Sequence, residues 1–237
     1  MHKKGASSLE FILAFVLFAS FTVAALYFFN PVKTLKNMDY SRDYTLNKII
    51  EDTSVELDSY SIVIREPIPQ KISISISGET NKNVRAVDYE GVVVDAKRGS
   101  GNDFCVDISN IKPIYDNKFT TLYFSEEIVE SAGPSCIPNP DETNYNIASS
   151  LTEKVISENR ILSLNKSYGE DYSALKNRLN IPADVDFSFS LVLGETKIVA
   201  GNSQSGITRE IFSETNRMEV LRTSGVPQFG ELTVSVW

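Results

Sequence analysis

Glu10 is the residue whose position calls for chemistry. It stands at the entrance of a run, Phe11 to Phe29, that contains no charge, so an ionised carboxylate there loses water with no partner inside the run. It needs a cation. Ala6 lies four positions earlier, on the same side of a helix. Its amine becomes available only if the chain is cut between Gly5 and Ala6, and it can then neutralise Glu10 within one chain or across to a neighbour. The other groups able to do chemistry are few. The single histidine is His2, ahead of that cut, so the shortened chain has no imidazole for a Ser-His-Asp or Cys-His pair, or for the usual catalytic zinc site. Cys105 and Cys136 are too few for a thiolate cage and do not form Cys-x-x-Cys. They are either a disulfide tethering a Pro-rich loop or two buried thiols. Asn165-Lys166-Ser167 is an N-glycosylation sequon.

Three further patterns are weaker. Asp141, Glu142, Asn144 and Asn146 crowd oxygen ligands as a calcium loop does, but lack the Gly and terminal Glu of an EF-hand. Gly201 to Gly206 falls short of Gly-x-Ser-x-Gly because Ser205 occupies the second Gly position, and it reads as a hairpin loop. Gly99-Ser100-Gly101 lacks a third Gly and a following helix and reads as a turn. No catalytic residue, metal site or cofactor is expected.

The element that must position Glu10 is a helix. Read from Ala6 to Phe29, it is roughly 36 Å long at ~1.5 Å per residue, enough to span a bilayer. Lys3 and Lys4 precede it, so the positive-inside rule predicts a single pass, with the N-terminus cytoplasmic and the remaining chain outside. Ser20 and Ala24 carry the small-xxx-small spacing that permits close helix approach. Pro31 predicts a kink. Helical spacing then resumes at Leu46, Ile49, Ile50, Thr53 and Leu57, predicting one long helix from about Ala6 to Asp58, with a transmembrane or filament-core part at 11–29 and an amphipathic part at about 34–58.

Lys3-Lys4-Gly5 followed by Ala6-Ser7-Ser8-Leu9-Glu10-Phe11 and this apolar helix resembles the class III signal peptide of archaeal type IV pilin-like proteins. Ser8 and Glu10 match the archaeal pattern, whereas Ala6 stands where that pattern often has Gln. The resemblance implies a leader at 1–5, cleavage by a prepilin peptidase after Gly5, and Glu10 as the residue of subunit registration. The implied partners are that peptidase, other pilin-like subunits and the membrane. A weaker similarity, over roughly 145–237, links the "LNIPADVDFSFSLV" segment and the closing strand to the globular part of archaeal pilin-like membrane proteins.

Behind the helix the chain has ordinary globular composition, 42% hydrophobic and 23% charged residues, which excludes wholesale disorder. The formal charge of -8 repels phosphate backbones and argues against nucleic acid as a partner. Period-two alternation at Ser61 to Arg65, Ile72 to Ile76, Val92 to Val94, Phe104 to Ile108 and Thr121 to Phe124 predicts strands. A loop follows at Ser131 to Asn146. Ile147, Leu151, Val155 and Leu162, with Ser150 and Glu153 as a capping pair, predict one helix; Tyr172, Leu175 and Leu179 predict a second, ended by Pro182. Further strands are predicted at 185–191, 197–200, 207–212, 218–222 and 232–236. The expected class is α+β, with one extracytoplasmic β-rich domain at 60–237 carried on a helix at 6–59.

The function this implies is a minor pilin or pseudopilin, a non-enzymatic subunit that moves from the cell membrane into a cell-surface filament. The alternative is a single-pass extracellular binding domain that does not polymerise. An enzyme would require two carboxylates to converge in a pocket.

Overall fold

The computed structural model describes residues 4–28, 31–65, 70–79, 81–129, 133, 136, 144–201 and 210–237. Two helices lead, α1 (Lys4–Phe28) and α2 (Pro31–Thr53). The chain then enters β1 (Ser54–Arg65) without a turn. Strands β2 (Lys71–Ser75), β3 (Asn83–Asp88), β4 (Val93–Val94), β5 (Ala96–Arg98), β6 (Asp103–Asp107), β7 (Asn117–Ser125) and β8 (Tyr145–Ser157) follow. Helices α3 (Glu158–Glu170) and α4 (Tyr172–Arg178) come next, before β9 (Phe187–Leu193), β10 (Thr196–Ala200), β11 (Phe212–Leu221) and β12 (Pro227–Val236).

Nine strands form one curled sheet in the order β10-β9-β12-β11-β8-β1-β7-β3-β4, and β2-β6-β5 form a small second sheet. The long sheet is two antiparallel halves joined by one parallel pairing, Val220 and Leu221 of β11 beside Ile156 and Ser157 of β8. One half is covered by helices. Leu46 and Ile49 of α2, Ile161 and Leu164 of α3 and Leu175 of α4 pack on Phe187, Phe189, Leu191, Leu232 and Val234. The other half is covered by the small sheet, whose Ile72, Ile74, Phe104 and Val106 meet Ile62, Ile64, Leu122 and Phe124. Both cores lie on the same face, since Ile156 stands opposite Ser54 and even-numbered residues of β1 share one side. On the reverse face, Val55, Leu57, Val155 and Leu221 pack under Ile128.

Polar contacts pin the joints. Ser157 caps α3, its Oγ accepting from the Arg160 N–H, and the buried Glu158 carboxylate accepts from Arg222 Nε at 3.0 Å and from the Thr223 N–H at 2.8 Å. The start of α3 is thereby tied to the end of β11. Arg42 of α2 pairs with Glu214 of β11 at 3.0 Å. Asp171 caps α4, accepting from the Ala174 N–H at 2.9 Å.

Several expectations are corrected. Among the described residues strands hold 46% and helices 28%, so the class is mostly β and not α+β. The long helix stops at Thr53, and Leu57, assigned above to its apolar face, is a buried residue of β1. The segment 147–157, expected as helix, is strand β8, in which a register shift at Ser61/Ile62 sets Ile147 opposite Ile62 on one face and Leu151 and Val155 opposite Ser59 and Val55 on the other. The stretch of α1 with described side chains, Glu10 to Ala25, holds 16 residues. Among the described residues no helix is long and apolar enough to cross a membrane. The single-pass placement, with its cytoplasmic N-terminus and external domain, is corrected on that finding, and the membrane-anchored alternative falls with it.

Candidate assembly surface

Leu, Phe, Val and Ala dominate α1, and its two described hydroxyls are turned back onto the backbone. Ser20 Oγ donates to the Val16 carbonyl at 2.7 Å and Thr22 Oγ1 to the Phe18 carbonyl at 2.8 Å, so neither interrupts the apolar surface. Phe11, Ile12, Leu13, Phe15, Val16, Leu17, Phe18, Phe21 and Val23 are each 53–75% exposed. At ~100° per residue these nine are spread around the whole circumference. A helix apolar on all sides belongs in a core, yet among the described residues no α1 side chain joins any of the three hydrophobic cores. The exposed apolar area is on the order of 1,000 Å², against ~300–600 Å² for the largest patch of an ordinary monomer.

Glu10 is exposed at the N-terminal end of this surface. Lys4, Gly5 and Ala6 form the first turn of α1, so the expected cleavage point lies inside the helix; Lys3 lies outside the described residues.

Cys105 of β6 is buried and disulfide-bonded to Cys136, with Cα atoms 5.5 Å apart. The bridge spans 31 residues, a closure that stabilises by about 3–4 kcal/mol in the chain-entropy account. Asn165 is half-buried on α3, and the sequon's Ser167 Oγ donates to the Ser163 carbonyl at 3.0 Å. The sequon therefore lies in a helix instead of the surface loop its pattern suggests. Asp141 and Glu142 lie outside the described residues, while Asn144 and Asn146 lead into and occupy the start of β8. Residues 202–206 of the expected hairpin loop also lie outside the described residues. Gly99 to Gly101 make the β5–β6 turn, where Gly99 N–H donates to the Asp103 carbonyl at 2.7 Å and Gly101 takes φ +65°. Among the described residues no group of three His, Cys, Asp or Glu side chains is placed to hold a metal.

Two polar clusters went unread in the sequence. Glu219 of β11 and Glu153 of β8 face one another. Burial, then the Glu153 charge, raises the Glu219 pKa, and burial with both carboxylates raises that of Tyr123. The second gathers Glu56, Asp58 and Glu79 around Lys82. Both join residues dozens of positions apart, which no local spacing announces. A cavity between α2 and α4 is lined by Lys48, Glu51, Asp52 and Arg178, with Asp52 and Arg178 paired at 3.1 Å and Lys48 and Glu51 at 2.7 Å.

No protein-family model matches the chain, and neither a curated protein nor a solved structure matches it.

Proposed function

We propose that this chain is a pilin-like structural subunit, not an enzyme, shortened by a prepilin peptidase after Gly5 and built into a filament through α1. The leader residues support an archaeal form of that class, and the size of the domain behind α1 supports a minor pilin or pseudopilin. One observation carries the reading: an apolar helix, exposed around its whole circumference, with a carboxylate at one end. A helix apolar on one side would be satisfied by a single partner. One apolar all round needs several neighbours, and a bundle of identical α1 helices supplies them. Burying on the order of 1,000 Å² of apolar surface per subunit contributes about 25 kcal/mol before association costs of ~4–15 kcal/mol. Such a bundle would exclude water from Glu10, and the new Ala6 amine of a neighbouring subunit is the cation that offsets its charge.

The test is mass and assembly together. After exposure to the peptidase the chain is expected to begin at Ala6 and to sediment as a polymer. Glu10→Ala, which leaves a buried amine unpaired at a cost of about 3–5 kcal/mol, is expected to be cleaved and to melt normally while remaining outside the polymer. A cleaved wild-type chain that stays monomeric, or a Glu10→Ala variant that polymerises as well as wild type, overturns the proposal.

A further inference from the structure

The cluster around Lys82 has the composition of a self-crosslinking site. Asp58 is on β1, Phe124 stands beside it on β7, and Val84 beside Phe124 on β3. Lys82 immediately precedes β3, two residues before Val84, so alternation brings its side chain to the face occupied by Asp58. Its Nζ rests against Asp58 Oδ2. The Asp58 side chain is only 5% exposed and that of Lys82 19%. Asp58 Oδ1 accepts from the hydroxyl of Thr152, directly across the strand pair. Glu79, 7% exposed, aims Oε2 at the same ammonium from 3.8 Å, too far for a hydrogen bond, and that oxygen has no hydrogen-bond partner. Its other oxygen accepts from Tyr60 OH at 2.9 Å. The Arg98 guanidinium donates to the carbonyls of Glu79 and Lys82, fixing the loop that carries both.

Burial pushes the Glu79 carboxyl above its ordinary range, the Tyr60 hydrogen bond opposing and the Asp58 charge adding. Burial works against the Lys82 charge, but its hydrogen bonds to Asp58 and Glu56 outweigh it and keep the resting state an ion pair. Two buried ions in contact are costly to hold. An amide made from them carries no charge, and it persists where water is excluded.

We propose that Lys82 and Asp58 condense into an intramolecular amide, with Glu79 relaying the proton. A proton passes from Nζ to the Asp58 carboxylate. The freed nitrogen lone pair then attacks Cγ, and the developing negative charge on Oδ1 is met by the Thr152 hydroxyl. Nζ loses a second proton to Glu79, which hands one on to the departing oxygen. Oδ2 leaves as water, so one ammonium and one carboxylate become one amide and one water, with Glu79 unchanged. Glu56, also in reach of Nζ at 2.5 Å, is 57% exposed; water solvates its charge and it remains an ordinary carboxylate. The bond would join β1 to β3 across β7. This inference does not rest on assembly through α1.

The experiment weighs the full chain, denatured and with its disulfide reduced, against the mass calculated for the same N-terminus. The wild type is expected to be lighter by one water, and proteolysis to release a branched peptide joining Asp58 to Lys82. Asp58→Ala and Glu79→Gln are expected at full mass, whereas Glu56→Gln still loses the water. A wild-type chain at full mass, or a water lost elsewhere, overturns the crosslink; retention of the branched peptide in Glu79→Gln overturns the relay.

Discussion

Three phenols give the protein a definite response to alkali. Tyr60 is pushed up to about 12 by burial and then by its hydrogen bond to Glu79, and Tyr168 to about 12 by burial and then the Asp186 charge; burial also raises Tyr172. Each keeps its proton longer folded than unfolded, where the phenol titrates at 10.0. The stability they contribute is therefore complete below pH 10 and is lost as pH rises through 12. Melting temperature is expected to hold steady to about pH 9 and to fall between about pH 10 and 12. Tyr168→Phe should flatten that fall, although it gives up the 2.7 Å hydrogen bond to the Phe187 carbonyl and melts lower at neutral pH. A curve for the variant with the same alkaline slope would remove Tyr168 from the account. At this scale the sequence was uneven as a guide. Glu10 was legible because an ionisable group beside an apolar run is a local anomaly. The Lys82 cluster was not, because Asp58, Glu79 and Thr152 meet only after β8, β1, β7 and β3 pair.

Among the elements, β12 leaves no room for a side chain at one position. Gly230 lies where β12 runs between β9 and β11, and a Cβ there would come within 2.5 Å of Leu193 Cδ2 and 3.0 Å of the Val192 carbonyl oxygen. Leu193 can shift, but backbone cannot. Gly230→Ala is expected to destabilise by about 1–3 kcal/mol, read as a lower denaturation midpoint at unchanged slope; an unchanged midpoint would show that the strands part to accept the methyl. The regular strands were the readable part of this fold. The buried Phe187, Phe189, Leu191 and Leu193 alternate with the half-buried Ser188, Ser190 and Val192, and α4 announces itself through Leu175 and Leu179. Two passages misled. Spacing of four residues at Ile147, Leu151 and Val155 fits period two as well as period 3.6, and Ile147 and Leu151 are largely exposed, so neither marks a core face. At Thr53 and Ser54 the chain changes from helix to strand with no Gly or Pro to punctuate it. Thr53 and Ser54 instead fold their hydroxyls back to the Ile49 and Ile50 carbonyls at 2.7 and 2.6 Å, satisfying the helix end from within.

For the whole molecule, α1 is separable and the rest is not. The three cores draw on α2, α3, α4, both sheets and their loops, and take no described residue from α1. A chain begun at Pro31 is therefore expected to be monomeric and to melt within a few degrees of the full-length protein, measured by sedimentation and calorimetry. A large fall in melting temperature would make α1 part of the domain. Where α2 ends has a mechanical consequence. It runs straight into β1, an interior strand paired with β8 from Ser54 to Ile64 and with β7 from Asp58 to Arg65. A pull on the helix is thus a pull along that strand, which must shear two ladders of hydrogen bonds together instead of peeling them one by one. Tension arriving through the helices meets the sheet in its stiffest direction.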